Sequence, residues 1–229
     1  MRRSVFGAQG LLAAGALALI LTACQSPGPV QSGGPAPAVP SPDRTASATT
    51  ASATAAAPPS LSAEAQARLD QELIAAAKAN DAVRVSELVG RGGNVNAKDS
   101  IQDSAFLYAG AEGFNEVLQL TLDAGADVSS INRYGGTALI PASEHGHVEA
   151  VKILLAAGVP VNHVNNLGWT AMQEAILLNN GGPRQQEVVR LLLLAGADPG
   201  IRDPEGRTAL QNAERLGFAE IAAIIKGGT

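Results

Sequence analysis

The sequence predicts an all-α repeat solenoid, and three observations carry that reading. Gly92, Gly125 and Gly158 lie 33 residues apart, and so do Ser104, Thr137 and Thr170. Each period holds two short helical segments. The second has an apolar face, as in Val151, Ile153, Leu154 and Leu155, or Val189, Leu191, Leu192 and Leu193. Small residues recur at Ala109, Ala142, Ala175 and Ala213, where stacked helices must approach closely. A unit this short cannot bury its apolar face alone; stacking on its neighbours does so.

Taken in order, a leading helix from about Ala63 runs into a degenerate first unit near Gln71, which suits a solvent-facing cap. Further units start near Ser104, Thr137, Thr170 and Thr208. The hydroxyls of Thr137, Thr170 and Thr208 are placed to cap the first helix of each unit. Gly125, Gly158 and Gly196 permit the left-handed backbone that ends the second. Ile221, Ile224 and Ile225 mark the last second helix. The interval from Thr170 to Thr208 is 38 residues, so NNGGPRQQ (residues 179–186) reads as a five-residue insertion. Its glycines and proline predict a mobile, projecting loop.

The unit GTALIPASEHGHVEAVKILLAAGVPVNHVNNLGW (residues 136–169), with its T-x-L start and closing glycine, resembles an ankyrin repeat. The resemblance covers residues 71–229 and implies about five helix-turn-helix units with β-hairpin fingers. Two departures stand out. Alanine replaces the proline of the family's T-P-L-H start, and its histidine is Leu107, Ile140, Gln173 or Gln211. The hydrogen bonds of that histidine are therefore expected to be missing or remade.

The resemblance implies a monomeric protein-binding module whose fingers and first helices form a concave recognition surface. By position, the first finger offers Lys98, Ser100, Ile101 and Asp103, and the second Ile131, Arg133 and Tyr134. The third offers Val164, Asn166, Leu167 and Trp169, and the fourth Arg202, Glu205 and Arg207, with Glu144 and His145 on the helices behind. Tyr134 and Trp169 are the aromatic anchors of such a surface; the alternative is that they merely pack against adjacent fingers.

The N-terminus is different material. Arg2 and Arg3 precede an uncharged apolar run, residues 11–23 (LLAAGALALILTA), which is the layout of a signal peptide (residues 1–23). LTAC, ending in Cys24, the single cysteine of the chain, resembles a bacterial lipobox. The family resemblance implies cleavage before Cys24 and acylation of it, anchoring the protein in a bacterial envelope membrane. Gln25 stands where an aspartate would favour inner-membrane retention, which points to the outer membrane, facing the periplasm. Residues 24–60 continue as a Pro/Ala/Ser/Thr segment with two charges, Asp43 and Arg44, too polar and small to offset its ordering entropy. It reads as a disordered tether of roughly 30–36 Å, joining lipid to the repeat domain of residues 61–229.

Charge and motifs narrow the function classes. Residues 61–229 carry 20 Asp+Glu and 13 Lys+Arg, a net charge of −7, which argues against nucleic acid. With one cysteine there is no disulfide framework. His145 and His147 flank Gly146 in a turn and His163 sits in the next finger; they read as structural, not as metal ligands. No G-x-S-x-G, H-E-x-x-H or P-loop appears, and Asp198, Asp203 and Glu205 match no EF-hand spacing. No enzymatic activity and no cofactor are expected. The reading is a lipid-anchored module that recruits or stabilises an envelope partner protein. Its alternatives are an inhibitor or immunity partner of a secreted enzyme such as a lipase, an envelope hydrolase or metal protein, and a structural tether.

Overall fold

A computed structural model of the chain describes residues 61–227. The signal peptide, Cys24 and the tether of residues 25–60 lie outside the described residues. Among the described residues, ten helices form five antiparallel pairs: α1 (Ala63–Lys78) with α2 (Ala82–Gly90), α3 (Ala105–Glu112) with α4 (Asn115–Asp123), and α5 (Leu139–Glu144) with α6 (Val148–Ala156). They continue as α7 (Ala171–Leu177) with α8 (Pro183–Leu194), and α9 (Ala209–Leu216) with α10 (Ala219–Gly227). Odd-numbered helices stack on one another in sequence to form one layer, and even-numbered helices form the other. The core lies between the layers, with Leu73, Leu88, Phe106, Leu118, Leu139, Leu154, Ile176, Leu192 and Ile221 fully buried. Burying one such side chain contributes about 1.5–3 kcal/mol, so the stack depends on having neighbours on both sides.

Small residues set the spacing of the inner layer. Ala109, Ala142, Ala175 and Ala213 are all fully buried. Between α3 and α5 the approach is closer still: a Cβ added to Gly110 would sit 2.8 Å from the Cβ of Ala138. The glycines at the ends of the second helices adopt the left-handed conformation, with φ of 84° at Gly125, 83° at Gly158 and 85° at Gly196.

The caps follow the sequence except at one unit. Ser104 accepts from the Leu107 N–H at 3.2 Å, while Thr170 with Gln173 and Thr208 with Gln211 form reciprocal capping boxes. Gln173 and Gln211 thus remake bonds at the position of the family's histidine, and Gln173 Nε2 also donates to the carbonyl of Ile201 at 2.9 Å. Thr137 does not cap, contrary to expectation: its buried hydroxyl has no hydrogen-bond partner. Pro141 is the reason. In the other units the fourth residue after the cap donates its N–H to the cap carbonyl, as Tyr108 does to Ser104 and Glu174 to Thr170, both at 3.0 Å. Proline has no N–H to give. The Thr137 carbonyl is taken instead by Ile140 at 3.2 Å, a tighter turn that removes this donor from the hydroxyl's reach and delays α5 to Leu139.

Two further expectations are corrected. Among the described residues the fingers contain no β-strand; they are turns built on one polar side chain. Asn132 Oδ1 accepts from the N–H groups of Tyr134 and Gly136 at 2.9 and 3.0 Å, and Asn165 Oδ1 from those of Leu167 and Trp169 at 3.0 Å each. Asp99 and Asp203 hold the first and fourth fingers in the same way. A side-chain acceptor at the centre of the turn saturates donors that a two-stranded ladder would otherwise need to satisfy.

The insertion is not a projecting loop. The helix α8 has 12 residues where α4 and α6 have nine, so three of the extra residues add almost one helical turn and Pro183 becomes its first residue. The remaining two lengthen the turn before it, which is packed. Asn179 Nδ2 donates to the carbonyl of Glu144 at 2.6 Å, and the buried Gln185 donates to Asn179 Oδ1 at 3.1 Å. Gly181 lies against Phe218, leaving room for no Cβ.

Candidate recognition groove

Three stacked first helices, α3, α5 and α7, and the two middle fingers line a groove of about 300 Å³. Its apolar surface comes from Leu107, Tyr108, Ile140, Leu178 and, at the fingers, Tyr134 and Leu167. Leu107 and Ile140 are buried at positions where the family has a histidine; apolar side chains there give the groove a greasy floor in place of a polar network. Tyr134 and Leu167 are 54% and 51% exposed, an unusual concentration of apolar surface on adjacent finger tips. The turn geometry explains their position: in each finger the polar residue two before the tip, Asn132 or Asn165, holds the backbone, so the tip side chain is not needed to form the turn.

Tyr134 is held by its neighbour. The Arg133 guanidinium lies 4.8 Å from the Tyr134 ring centroid and donates to Asp103 at 3.0 Å, tying the second finger to the first. Lys98 does the same through the Ile131 carbonyl at 2.6 Å, and Asn166 N–H bonds the Tyr134 carbonyl at 2.9 Å. His163 Nε2 donates to the Gly135 carbonyl at 2.6 Å. The fingers therefore form one cross-linked row, not independent loops.

Below them sit three carboxyls, Glu112, Glu144 and Glu174, none of which is ion-paired among the described residues. Glu174 is 5% exposed. Its Oε1 accepts from Asn165 Nδ2 at 2.7 Å, and its Oε2 has no hydrogen-bond partner among the described residues. Burial and the neighbouring Glu144 carboxylate push the Glu174 carboxyl up to about 7, against the opposing pull of Asn165 and His145. The Asp99 carboxyl shows the contrary case. Burial alone would raise it, but the Lys78 ammonium at 2.6 Å and the N–H groups of Asp103 and Ile101 outweigh that and hold it below the ordinary range.

Of the residues selected from sequence, the groove gathers Asp103, Arg133, Tyr134, Glu144, His145 and Leu167. Ile101, Ile131 and Val164 are exposed on the fingers outside it. Trp169 is half-buried, with its indole Nε1 enclosed and unpartnered, so most of this side chain belongs to the finger row. Arg207 clamps the fourth finger, bonding Asn212 and Glu205 at 2.9 Å and lying 3.4 Å from Asp203. His145 Nδ1 donates to the Ala111 carbonyl at 3.0 Å. No cluster of metal-ligating side chains occurs among the described residues, and none of the described helices is long and apolar enough to cross a membrane.

Glu174 escaped the sequence reading. Its signal was present: it stands in the same register as Tyr108 and Pro141, in a helix whose other residues are almost all apolar. The turn residues Asp99, Asn132 and Asn165 also repeat at 33 residues.

The family model for ankyrin repeats (three copies) matches residues 73–165 and 106–203. An ankyrin repeat protein of Escherichia coli (strain K12), YahD, is 40% identical over 142 residues, covering 62% of this chain and 71% of that protein. The crystal structure of an ankyrin repeat domain from Acinetobacter baumannii AYE is 54% identical with a TM-score of 0.67, covering 68% of this chain and 80% of that one. The ankyrin repeat protein EF0377 is 42% identical with a TM-score of 0.66, covering 69% and 80% respectively.

Proposed function

Because the chain belongs to the ankyrin repeat family, a family of protein-interaction modules, we propose that it is a lipid-anchored binding protein of the bacterial envelope that recruits or stabilises one partner protein there. One observation supports the binding face above the others: Tyr134 and Leu167 stand exposed on adjacent fingers, held rigid by Arg133 and Asn166, at the mouth of an apolar-floored groove. Large side chains fixed before binding lose little entropy on association, and aromatics dominate protein interfaces. The anchor rests on the sequence: Arg2 and Arg3, the apolar run, and Cys24 in LTAC. Several acyl chains, at about 0.8 kcal/mol per buried methylene, hold a protein at a membrane where one does not. Gln25 favours the outer membrane, with the repeats facing the periplasm.

The test is proximity crosslinking in intact cells from a photoreactive residue at position 134 or 167, beside Cys24→Ala in the same strain. The expected result is one dominant crosslinked protein, with Cys24→Ala losing lipid labelling and leaving the membrane fraction. A Cys24→Ala protein that is still lipid-labelled and membrane-bound would refute the anchor. Crosslinking no richer than from a site on the outer helical layer would refute the binding face.

A further inference from the structure

Resting on that reading of the groove as a protein-binding face, we infer that it takes a single basic side chain, lysine or arginine, from its partner. The apolar part of such a side chain matches the floor of Leu107 and Ile140, and its charged end would meet Glu174 and Glu144. The groove is about 300 Å³ in volume, enough for one long side chain.

Charge complementarity selects the occupant. Glu112 from α3 and Glu144 from α5 line the slot together with Glu174 from α7, while its one guanidinium, Arg133, is already bonded to Asp103 at 3.0 Å. His145, from the end of α5, is turned to the Ala111 carbonyl. No charged group of α8 or α9 lines the slot. Glu174 is the informative member: it is 5% exposed, its Oε1 is bonded to Asn165, and it lines the groove beside Glu144 and Glu112 with no cation paired to it among the described residues. A cationic N–H donor complements such a carboxyl once it is ionised, and a charge-assisted bond of that kind is among the stronger ones available to a protein. An acidic or neutral polar side chain would instead leave the three carboxyls facing one another.

A pH dependence follows. A cation binds the ionised carboxyl, so its binding draws a proton off Glu174, which in the free protein is held up to about 7. Ionisation of the free carboxyl rises from about one in ten molecules at pH 6 to about nine in ten at pH 8, which makes binding about tenfold tighter at pH 8. The variant comparison below isolates the contribution of Glu174.

The experiment titrates the full chain with the pentapeptide acetyl-AARAA-amide, its lysine counterpart, and its citrulline counterpart, which has the shape of arginine without the charge. Amide shifts of Leu107, Ile140 and Glu174 report occupancy. The expected result is slot-localised binding of the arginine and lysine peptides, about tenfold tighter at pH 8 than at pH 6, and at least tenfold weaker binding of citrulline. Glu174→Gln should bind the arginine peptide at pH 8 about as weakly as the native protein does at pH 6. Glu144→Gln, on the rim, should weaken it severalfold and serves as the second variant should Glu174→Gln fail to fold. Equal binding of arginine and citrulline, or full affinity in both variants, overturns the inference. A peptide that leaves the slot unperturbed overturns it as well, and if position 134 still crosslinks one dominant protein in cells, the protein-binding reading survives that failure.

Discussion

Glu174→Gln should make this protein more stable at neutral pH, not less. The buried carboxyl is raised from an ordinary 4.5 to about 7, and a shift of that size corresponds to about 3 kcal/mol of preference for the neutral form in the folded state. The sign follows from where ionisation is easier. Below pH 4.5 the carboxyl is neutral in both folded and unfolded chains and has no effect. Between 4.5 and 7 the unfolded chain ionises first, and stability falls as pH rises. Above 7 the full cost of about 3 kcal/mol is present. Glutamine keeps an Oε1 to accept the 2.7 Å bond from Asn165 and removes the charge. Guanidinium unfolding at pH 5 and pH 8 is the assay. The variant should exceed the native protein by about 3 kcal/mol at pH 8, narrowing to under about 1 kcal/mol at pH 5. Equal stability at pH 8 would mean that water solvates the carboxylate through the groove mouth. A variant less stable at both pH values would mean that the carboxylate is a stabilising acceptor. Either result would refute the reasoning.

Tyr134→Ala should fold with stability within about 0.5 kcal/mol of native yet lose the crosslinked partner, because its side chain is exposed and its turn is held by Asn132. Trp169→Ala should cost roughly 2 kcal/mol or more in denaturant unfolding, because its ring is half-buried in the finger row; a normal melt would place it on the free surface instead. Deleting residues 180–184 to restore the 33-residue period should destabilise by about 2 kcal/mol or more, through loss of the turn that positions Gln185 and of the Gly181 contact with Phe218. Unchanged stability after that deletion would show the turn to be dispensable. Gly181→Ala alone should cost about 1–3 kcal/mol, since its φ is +68° and the new Cβ would lie 2.5 Å from Phe218 Cγ.

The stacking was legible in the sequence because it rests on apolar periodicity and on glycine, whose signals are local. Gly125, Gly158 and Gly196 announce helix ends by chemistry that no neighbour alters. What could not be read depended on contacts between units. NNGGPRQQ has the composition of a loose loop, yet Asn179 and Gln185 find partners only because Glu144 of the preceding unit presents a free helix-terminal carbonyl. Thr137 looks like a cap, and it is Pro141, four residues on, that cancels the cap by withholding one N–H. In the groove, the exposed fingers could be placed by position alone. The register of Glu174 was legible too, but not its raised carboxyl, because a carboxyl becomes unusual only when helices and a finger close around it.

The two halves of the site differ in what they cost the fold. Asp99, Asn132, Asn165 and Asp203 each have backbone donors and hold the fingers in place. Tyr134 and Leu167 can vary freely on such a frame, since nothing in the stack rests on their side chains. Glu174 is the opposite case, a carboxyl whose ionisation at neutral pH weakens the domain. A stack selected only for stability would place glutamine or an apolar residue there, as it places Gln173 beside it in a fully satisfied capping box. Stability surrendered at one buried position, in a slot flanked by rigid exposed apolar residues, is the pattern of a residue kept for what binds it. The same reasoning accounts for the Leu107 and Ile140 floor: two departures from the family's histidine give an apolar floor to the same groove that Glu174 lines.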